Sequence, residues 1–431
     1  MLFGKDGFLK KNHGKLLLGY ELSRTYVQIS YIKVGDSEPE TLSMTAGTED
    51  YNIPFMLFWA AETGVWYFGK EALERSKSSR GETVEELFTL ACTRKKIPVG
   101  NENYETAALL ALFIKRSLCH LTLGGALEQI AACTFILESP EEEKIKVLRR
   151  VIEYLQLPGV DFHFMGKKEG FFHYILNQEK ELWKNQVFLY EMQKDCLTGY
   201  RLKQNHNTSP VVTLIDKKSY PSMSVKIPVT KQQKEERDRE FLNHLKQDLE
   251  GEIVSTVYLI GDGFWGEWYK MSVTYLCAKR RVFLGNNLFT KGACYGLRDQ
   301  LMSKEESPGY VYLGEDKLMA NVGLLALKKG EEVYLPVLDG GSSWYESHKE
   351  WDFIIEKENS LQFRITPLDG KNVMYAEIIL HGLELKQQKY SRIHVEVSME
   401  TREKMVVKIW EKGFGDFFSS MDQYWEEVIL L

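Results

Sequence analysis

The sequence predicts an α/β protein followed by an antiparallel β region, and three observations carry that expectation. Apolar stretches of strand character alternate with amphipathic helical stretches through the first two-thirds of the chain. Two similar hairpins stand 170 positions apart (190 − 20). After about residue 312 the helical periodicity fades and short alternating runs take over.

Leu16-Leu17-Leu18-Gly19-Tyr20-Glu21-Leu22 is an apolar run, interrupted by Ser23-Arg24-Thr25. Tyr26 to Ile32 then resumes with period-two alternation, which reads as a hairpin whose first strand is fully buried. A further strand pair is expected across Ile53–Ala60 and Val65–Phe68, and helical character from Glu71 to Leu90. Tyr104–Cys119 and Glu141–Leu155 are the clearest amphipathic helices, with a buried strand at Ile130–Leu137 between them. Val187–Met192 and Cys196–Leu202 form the second hairpin. Lys231–Glu250 reads as a polar helix with Phe241, Leu242, Leu245 and Leu249 on one side and a solvated charged half. Val257–Ile260 is another buried strand, running directly into Gly261-Asp262-Gly263.

The texture change places a domain boundary near residue 315. Beyond it, Val333–Val337, Trp351–Ile355, Leu361–Ile365, Tyr375–Ile379, Ile393–Val397 and Met405–Trp410 alternate as half-buried strands do, with turn chemistry at Asp369-Gly370 and Glu400–Glu403. Val322–Leu327 fits either an apolar linker or a first strand of that region.

Composition narrows the function classes. Of 431 residues, 55 are Lys or Arg and 61 Asp or Glu, with the two signs interspersed. No bulk basic field therefore argues for nucleic acid or an anionic membrane. No apolar run approaches the roughly 18 residues of a spanning helix, and Met1–Lys15 lacks a signal-peptide cleavage pattern. The 6 cysteines are scattered without a CxxC pair, and the 9 histidines form no metal-binding spacing. These features suggest a reducing cytoplasm and no structural metal. Ser342-Ser343 beside Gly340-Gly341 lacks nucleophile-elbow spacing, so no catalytic residue is assigned.

The two hairpins carry the most specific pattern. Tyr20-Glu21-Leu22-Ser23-Arg24-Thr25 is echoed by Tyr190-Glu191-Met192-Gln193-Lys194-Asp195, each copy closing a buried strand with a carboxylate near its tip. Such an echo suggests a duplicated fold with two facing halves. The plain alternative is coincidence between two apolar strands.

In that context the chain resembles the actin, sugar-kinase and seventy-kilodalton heat-shock chaperone superfamily, closest to the chaperone branch, and looks like a divergent bacterial branch rather than a true chaperone. Gly19–Thr25 is similar to the first phosphate loop of that family, and Glu191–Asp195 to the second. Leu259-Ile260-Gly261-Asp262-Gly263-Phe264 and Gly292-Ala293-Cys294-Tyr295-Gly296 resemble its two adenosine segments. Ile53–Met56 with Phe68–Leu73 resembles an early strand and its following turn. His381–Glu384, Arg392–Val397 and Met405–Trp410 resemble the peptide-binding sandwich.

The resemblance implies a duplicated actin-like (ribonuclease H-like) two-lobed ATPase fold followed by an antiparallel β-sandwich. The implied divisions are lobe I over 1–185, lobe II over 186–315 and the sandwich over 316–431. It also implies an ATP or ADP site with magnesium, held by Glu21, Ser23, Arg24, Thr25, Glu191, Gln193, Lys194, Gly261, Asp262, Gly263, Gly292 and Ala293.

Both loops depart from the family pattern. Backbone approach to phosphate needs glycine, and short aspartates suit the octahedral water shell of magnesium. Here the carboxylates are Glu21 and Glu191, the critical glycines are Ser23 and Gln193, and Arg24 and Lys194 follow. One reading is a rearranged site in which Arg24 and Lys194 bind phosphate. The other is a degenerate site in which those cations pair Glu191 and Glu21 across the cleft. Asp195 and Asp262 read otherwise as turn or helix caps.

Parallel change in both loops favours a non-hydrolysing, chaperone-like scaffold that binds a protein or peptide partner through the sandwich. Trp344-Tyr345, Trp351, Phe414, Phe417, Phe418, Tyr424 and Trp425 enrich that region in aromatics. The alternatives are an ATP-dependent chaperone or actin-like ATPase with substituted loops, and more remotely a small-metabolite kinase relative.

Overall fold

The computed structural model describes residues 12–45, 47–121, 127–193, 196–208, 210–223, 230–266, 268–301, 309–328, 331–356, 359–368, 372–383, 390–413, 420 and 422–431. Lys194, Asp195, Phe414, Phe417, Phe418, Glu384 and the Asp369-Gly370 turn lie outside them. The chain divides into two compact units, Met1–Tyr312 and Leu313–Leu431.

The first unit is a mixed α/β body built on two sheets. In the first sheet, β1 (Leu16–Leu22) pairs antiparallel with β2 (Tyr26–Lys33), and β2 with the short β3 (Glu40–Thr41) and β4 (Ile53–Pro54). On its other side β1 runs parallel to β10 (Ile130–Leu137), which runs parallel to β11 (Asp161–Gly166). The second sheet repeats the order. There β12 (Gln186–Met192), β13 (Leu197–Asn205) and β14 (Val211–Tyr220) form an antiparallel meander. The parallel strands β15 (Val254–Ile260) and β16 (Arg281–Gly285) extend the other edge, and β17 (Tyr310–Tyr312) adds beside β14. The repeat extends to register. Glu21 stands opposite Ile136 and Gln28, and Glu191 opposite Ile260 and Thr198.

β1, β10 and β12 are apolar almost throughout because parallel neighbours and flanking helices cover both faces. Tyr20 and Tyr190 are fully buried, and each places its hydroxyl against a helix. Tyr20 meets Ser117 at 2.8 Å on α3 (Thr106–Leu121), and Tyr190 donates to Asp248 at 2.9 Å on α6 (Lys231–Leu249).

Two helices join the halves of this unit. α5 (Lys167–Leu176) follows β11 and buries Phe171, Phe172 and Ile175 among Val187, Leu189 and Tyr200 of the second sheet. α8 (Leu288–Leu301) reaches back to cover Leu17 and Ala132 of the first sheet with Cys294 and Leu297. The two helices pack backbone to backbone: a Cβ on Gly292 would stand 1.9 Å from the carbonyl oxygen of Gly170.

Two expectations need correction. Glu71–Leu90 is not one helix: α1 (Gly69–Ser78) ends before β7 (Gly81–Glu85), and α2 (Leu87–Thr93) follows. β7 pairs with β5 (Met56–Ala60), which also pairs with β6 (Val65–Phe68), so the polar Gly-Glu-Thr-Val-Glu run is held by a partner strand. Nor is the charged half of α6 wholly solvated. Arg237 stacks 4.8 Å from the Trp268 ring centroid, and Asp238 accepts from the Met271 and Ser272 amides of α7 (Lys270–Cys277) at 2.6 and 3.0 Å. That carboxylate caps a neighbouring helix rather than facing water.

The second unit is strand-rich. β19 (Glu331–Leu338), β18 (Ala320–Lys328), β21 (Ser360–Pro367) and β22 (Met374–Ile379) form one antiparallel sheet. β20 (His348–Glu356), β23 (Tyr390–Thr401), β24 (Lys404–Glu411) and β25 (Tyr424–Leu430) form another. Alternate residues go inward, with Ile393, Val395 and Val397 on β23 and Met405, Val407 and Ile409 on β24 all buried. Val322–Leu327 is strand, within β18.

Candidate functional site

The carboxyl-terminal ends of β1 and β12 bring Glu21 and Glu191 together at the base of the cleft between the two sheets. Neither carboxylate faces open solvent: Glu21 is 2% exposed and Glu191 5%. Between them lies Lys167, the first residue of α5 and itself 3% exposed. Its Nζ stands 2.6 Å from Glu191 Oε1, 3.2 Å from Glu21 Oε1 and 3.5 Å from Glu138 Oε2.

The remaining valences of the cluster are filled from both halves. Tyr200 Oη is 3.2 Å from Glu191 Oε2 and 3.3 Å from Glu138 Oε1, and Lys217 pairs with Glu138. Gln193 Nε2 donates to Tyr26 Oη at 3.0 Å, to Ser23 Oγ at 3.5 Å and to Glu191. Ser23 Oγ donates to Glu21 Oε1 at 3.5 Å.

The electrostatics follow from that packing. Burial favours the neutral Lys167 amine, but Glu191, Glu21 and Glu138 outweigh it and hold the ammonium well above the ordinary lysine range. Burial pushes the Glu21 carboxyl up despite Lys167, with Glu191 adding to the rise. Of the two paired carboxylates, Glu21 is the more distant from the shared ammonium. Partial desolvation also opposes ionisation of Glu138, whose side chain is 47% exposed, yet Lys167 and Lys217 overcome it and hold that carboxyl at about 2.

These residues do not fit magnesium. The position between the two carboxylates, where a divalent ion would draw its charge, is taken by an ammonium group. Among the described residues no group of three His, Cys, Asp or Glu side chains is placed to hold a metal.

Among the described residues the cation between Glu21 and Glu191 is Lys167, and the pairing expected of Arg24 in the degenerate reading is replaced by one with Glu86. Arg24 points along the rim and pairs with Glu86 at 2.9 Å, while Lys194 lies outside the described residues. Thr25 accepts the Phe55 amide at 3.0 Å through its carbonyl and lines the cleft.

The other residues of the segments that resemble the adenosine site lie at close approaches within the fold. Gly261, at φ +95°, and Gly263 pass close to Met192, where added Cβ atoms would stand 2.5 and 2.2 Å from its carbonyl oxygen and its Cγ. Gly292 belongs to the crossing with α5. Ala293 packs beneath Gly19, whose own Cβ would stand 3.0 Å from Ala293 Cβ. Asp262 does more than begin a turn: both its carboxylate oxygens accept from Asn52 Nδ2, at 3.0 and 3.1 Å, across the cleft.

Above the buried cluster the cleft opens into a cavity of about 530 Å³. Its lining includes the apolar Pro54, Phe55, Met56 and Leu73 and the polar Arg24, Tyr26, Asn52, Glu85, Glu86, Gln193 and Asp262. Lys167, Asn52 and Glu138 were missed in the sequence. The available signal for Lys167 was its place directly after a strand that ends in Gly166, at the carboxyl edge where α/β sheets gather functional groups.

No curated protein matches the chain. Residues 317–431 match a domain of unknown function (DUF8552). Residues 38–315, more than half of the chain, match the family of unknown function DUF5716 in its C-terminal part, and the chain belongs to that family.

Proposed function

We propose that the chain is a non-hydrolysing, protein-binding scaffold with an actin-like two-lobed body, a chaperone-like β-sandwich and a degenerate nucleotide site. The shared strand order of the two sheets supports the two-lobed reading, as does the matching register of Glu21 and Glu191. The observation that carries the loss of catalysis is Lys167. A buried ammonium stands between the two carboxylates that would otherwise organise magnesium and phosphate.

Ser23 and Gln193 support the same reading. Each places a side chain in the cluster, where the family pattern needs bare backbone to approach a phosphate. The strand-rich unit supports a partner role. Its strand β22, which has no partner on its outer side among the described residues, exposes Met374, Tyr375 and Ile379, and such an edge with apolar side chains suits strand addition by an extended peptide.

Thermal denaturation with ATP, ADP and magnesium tests the proposal, since a ligand that binds only the folded state raises its stability. No shift with any nucleotide and no phosphate release is the expected result. Hydrolysis abolished by Glu191→Gln would instead establish an ATPase working with substituted loops.

A further inference from the structure

The crossing of α5 and α8 holds a mostly buried imidazole between carboxylates of both helices. His173 Nε2 stands 3.8 Å from Glu169 Oε1, one turn back on α5, and its Nδ1 stands 3.8 Å from Asp299 Oδ2 on α8. All three side chains are at most 16% exposed. These are ion-pair rather than hydrogen-bond distances, and Nδ1 has no hydrogen-bond partner among the described residues. The ring packs against Gly296 of α8, where a Cβ would stand 3.0 Å from its Cδ2. Asp299 also accepts from Asn177 Nδ2 and Arg298 Nη2, each at 3.2 Å, and Arg298 Nη1 donates to the Ser37 carbonyl at 2.8 Å. Among the described residues, the titratable and charged groups around the ring are Glu169 and Tyr174 on its own helix and Tyr295, Arg298 and Asp299 on α8. Glu38, before β3, adds a charge that reaches Tyr174 and Tyr295. β11 contributes the apolar Met165.

We infer that His173 is a proton-operated clamp on this crossing. As an imidazolium it is attracted to a carboxylate of each helix at once. As a neutral ring it keeps one N–H and turns a lone pair toward the other carboxylate. At 3.8 Å the attraction rests on charge, so it ends when the proton leaves. Burial favours the neutral ring, but Asp299 and Glu169 outweigh it and hold the imidazole above its ordinary value of 6.5. A raised folded value means that the contribution is complete below 6.5 and disappears as pH rises through the folded value. Because α5 packs into the second sheet and α8 covers the first, rising pH loosens the joint between the two halves. The inference stands apart from the proposed function, since neither nucleotide nor partner enters these contacts.

Nuclear magnetic resonance of the full chain reads the ring directly, with His173→Gln to assign its signal. His173 should titrate above 6.5, and Asp299→Asn should lower its proton affinity about tenfold. Thermal denaturation at stepped pH, from 6.5 upward, reads the clamp. The parent should lose its advantage in melting temperature over His173→Gln as pH rises, while amide exchange in α8 of the parent approaches that of the variant. Asp299→Asn keeps the imidazole, so its melting temperature should begin to fall at a lower pH than the parent's. A ring that titrates at or below 6.5 overturns the inference, and so does a gap to His173→Gln that stays constant with pH. Should His173→Gln not fold, a fall that begins at the same pH in the parent and in Asp299→Asn overturns it equally.

Discussion

Lys167 Nζ lies 2.6 Å from Glu191 Oε1 and 3.2 Å from Glu21 Oε1, so one ammonium joins the matching strand ends of two sheets. Removing it leaves buried carboxylates without a counter-charge, a change that costs about 3–5 kcal/mol in comparable settings. Lys167→Met should lower stability by that order in urea unfolding. Adding Glu21→Gln should recover part of the loss, since it removes one of the stranded charges. A Lys167→Met chain as stable as the parent would contradict the role given to this residue.

Glu138 sets a pH window. Its carboxyl is held at about 2 in the folded chain against an ordinary value of 4.5. A depressed folded value means that its contribution is complete above the unfolded value and disappears as pH falls through the folded one. Acid unfolding should therefore draw on Glu138 between pH 4.5 and about 2. In Glu138→Gln the stability curve should be flatter across that interval, as read by circular dichroism at stepped pH. An unchanged slope would place the acid sensitivity elsewhere.

The helix crossing should rank two glycine substitutions. A methyl on Gly292 meets the Gly170 carbonyl oxygen at 1.9 Å, whereas one on Gly296 meets the side chains of Met165 and His173 at 2.9 and 3.0 Å. Backbone cannot step aside as a flexible side chain can. Gly292→Ala should cost about 1–3 kcal/mol or more, and Gly296→Ala distinctly less. The order of the two melting temperatures decides the matter.

Asp238 receives two amides from the start of α7 and the Ser272 hydroxyl, at 2.6 Å for the last. Asp238→Ala leaves those buried donors unmet, at about 1–3 kcal/mol. Hydrogen exchange at the Met271 and Ser272 amides should accelerate more than exchange in β12. Uniform acceleration would instead mean a global loss of stability.

The parts of this fold that were legible in sequence are those whose side chains record their own surroundings. Leu16–Leu22 and Val187–Met192 are apolar because both faces are covered, and β23 and β24 alternate because one face is. Gly81–Glu85 records nothing of the kind, since a mostly exposed strand beside β5 can be polar. The candidate site divides the same way. Glu21 and Glu191 stood out through their repeated setting. Lys167 opens a Lys-Lys-Glu run that resembles any solvated first turn, and only the approach of the second sheet makes it a buried charge. Gly292 carried a real demand for a missing side chain, but the neighbour that imposes it is another helix.

A positive charge supplied by a side chain comes at a fixed stoichiometry. Lys167 cannot be chelated, diluted or exchanged, and it arrives with the chain at synthesis. The joint that it makes between the strand ends of the two sheets does not depend on the supply of a soluble metal ion. The joint between the two sheets would then be a permanent fixture, complete as soon as the chain has folded.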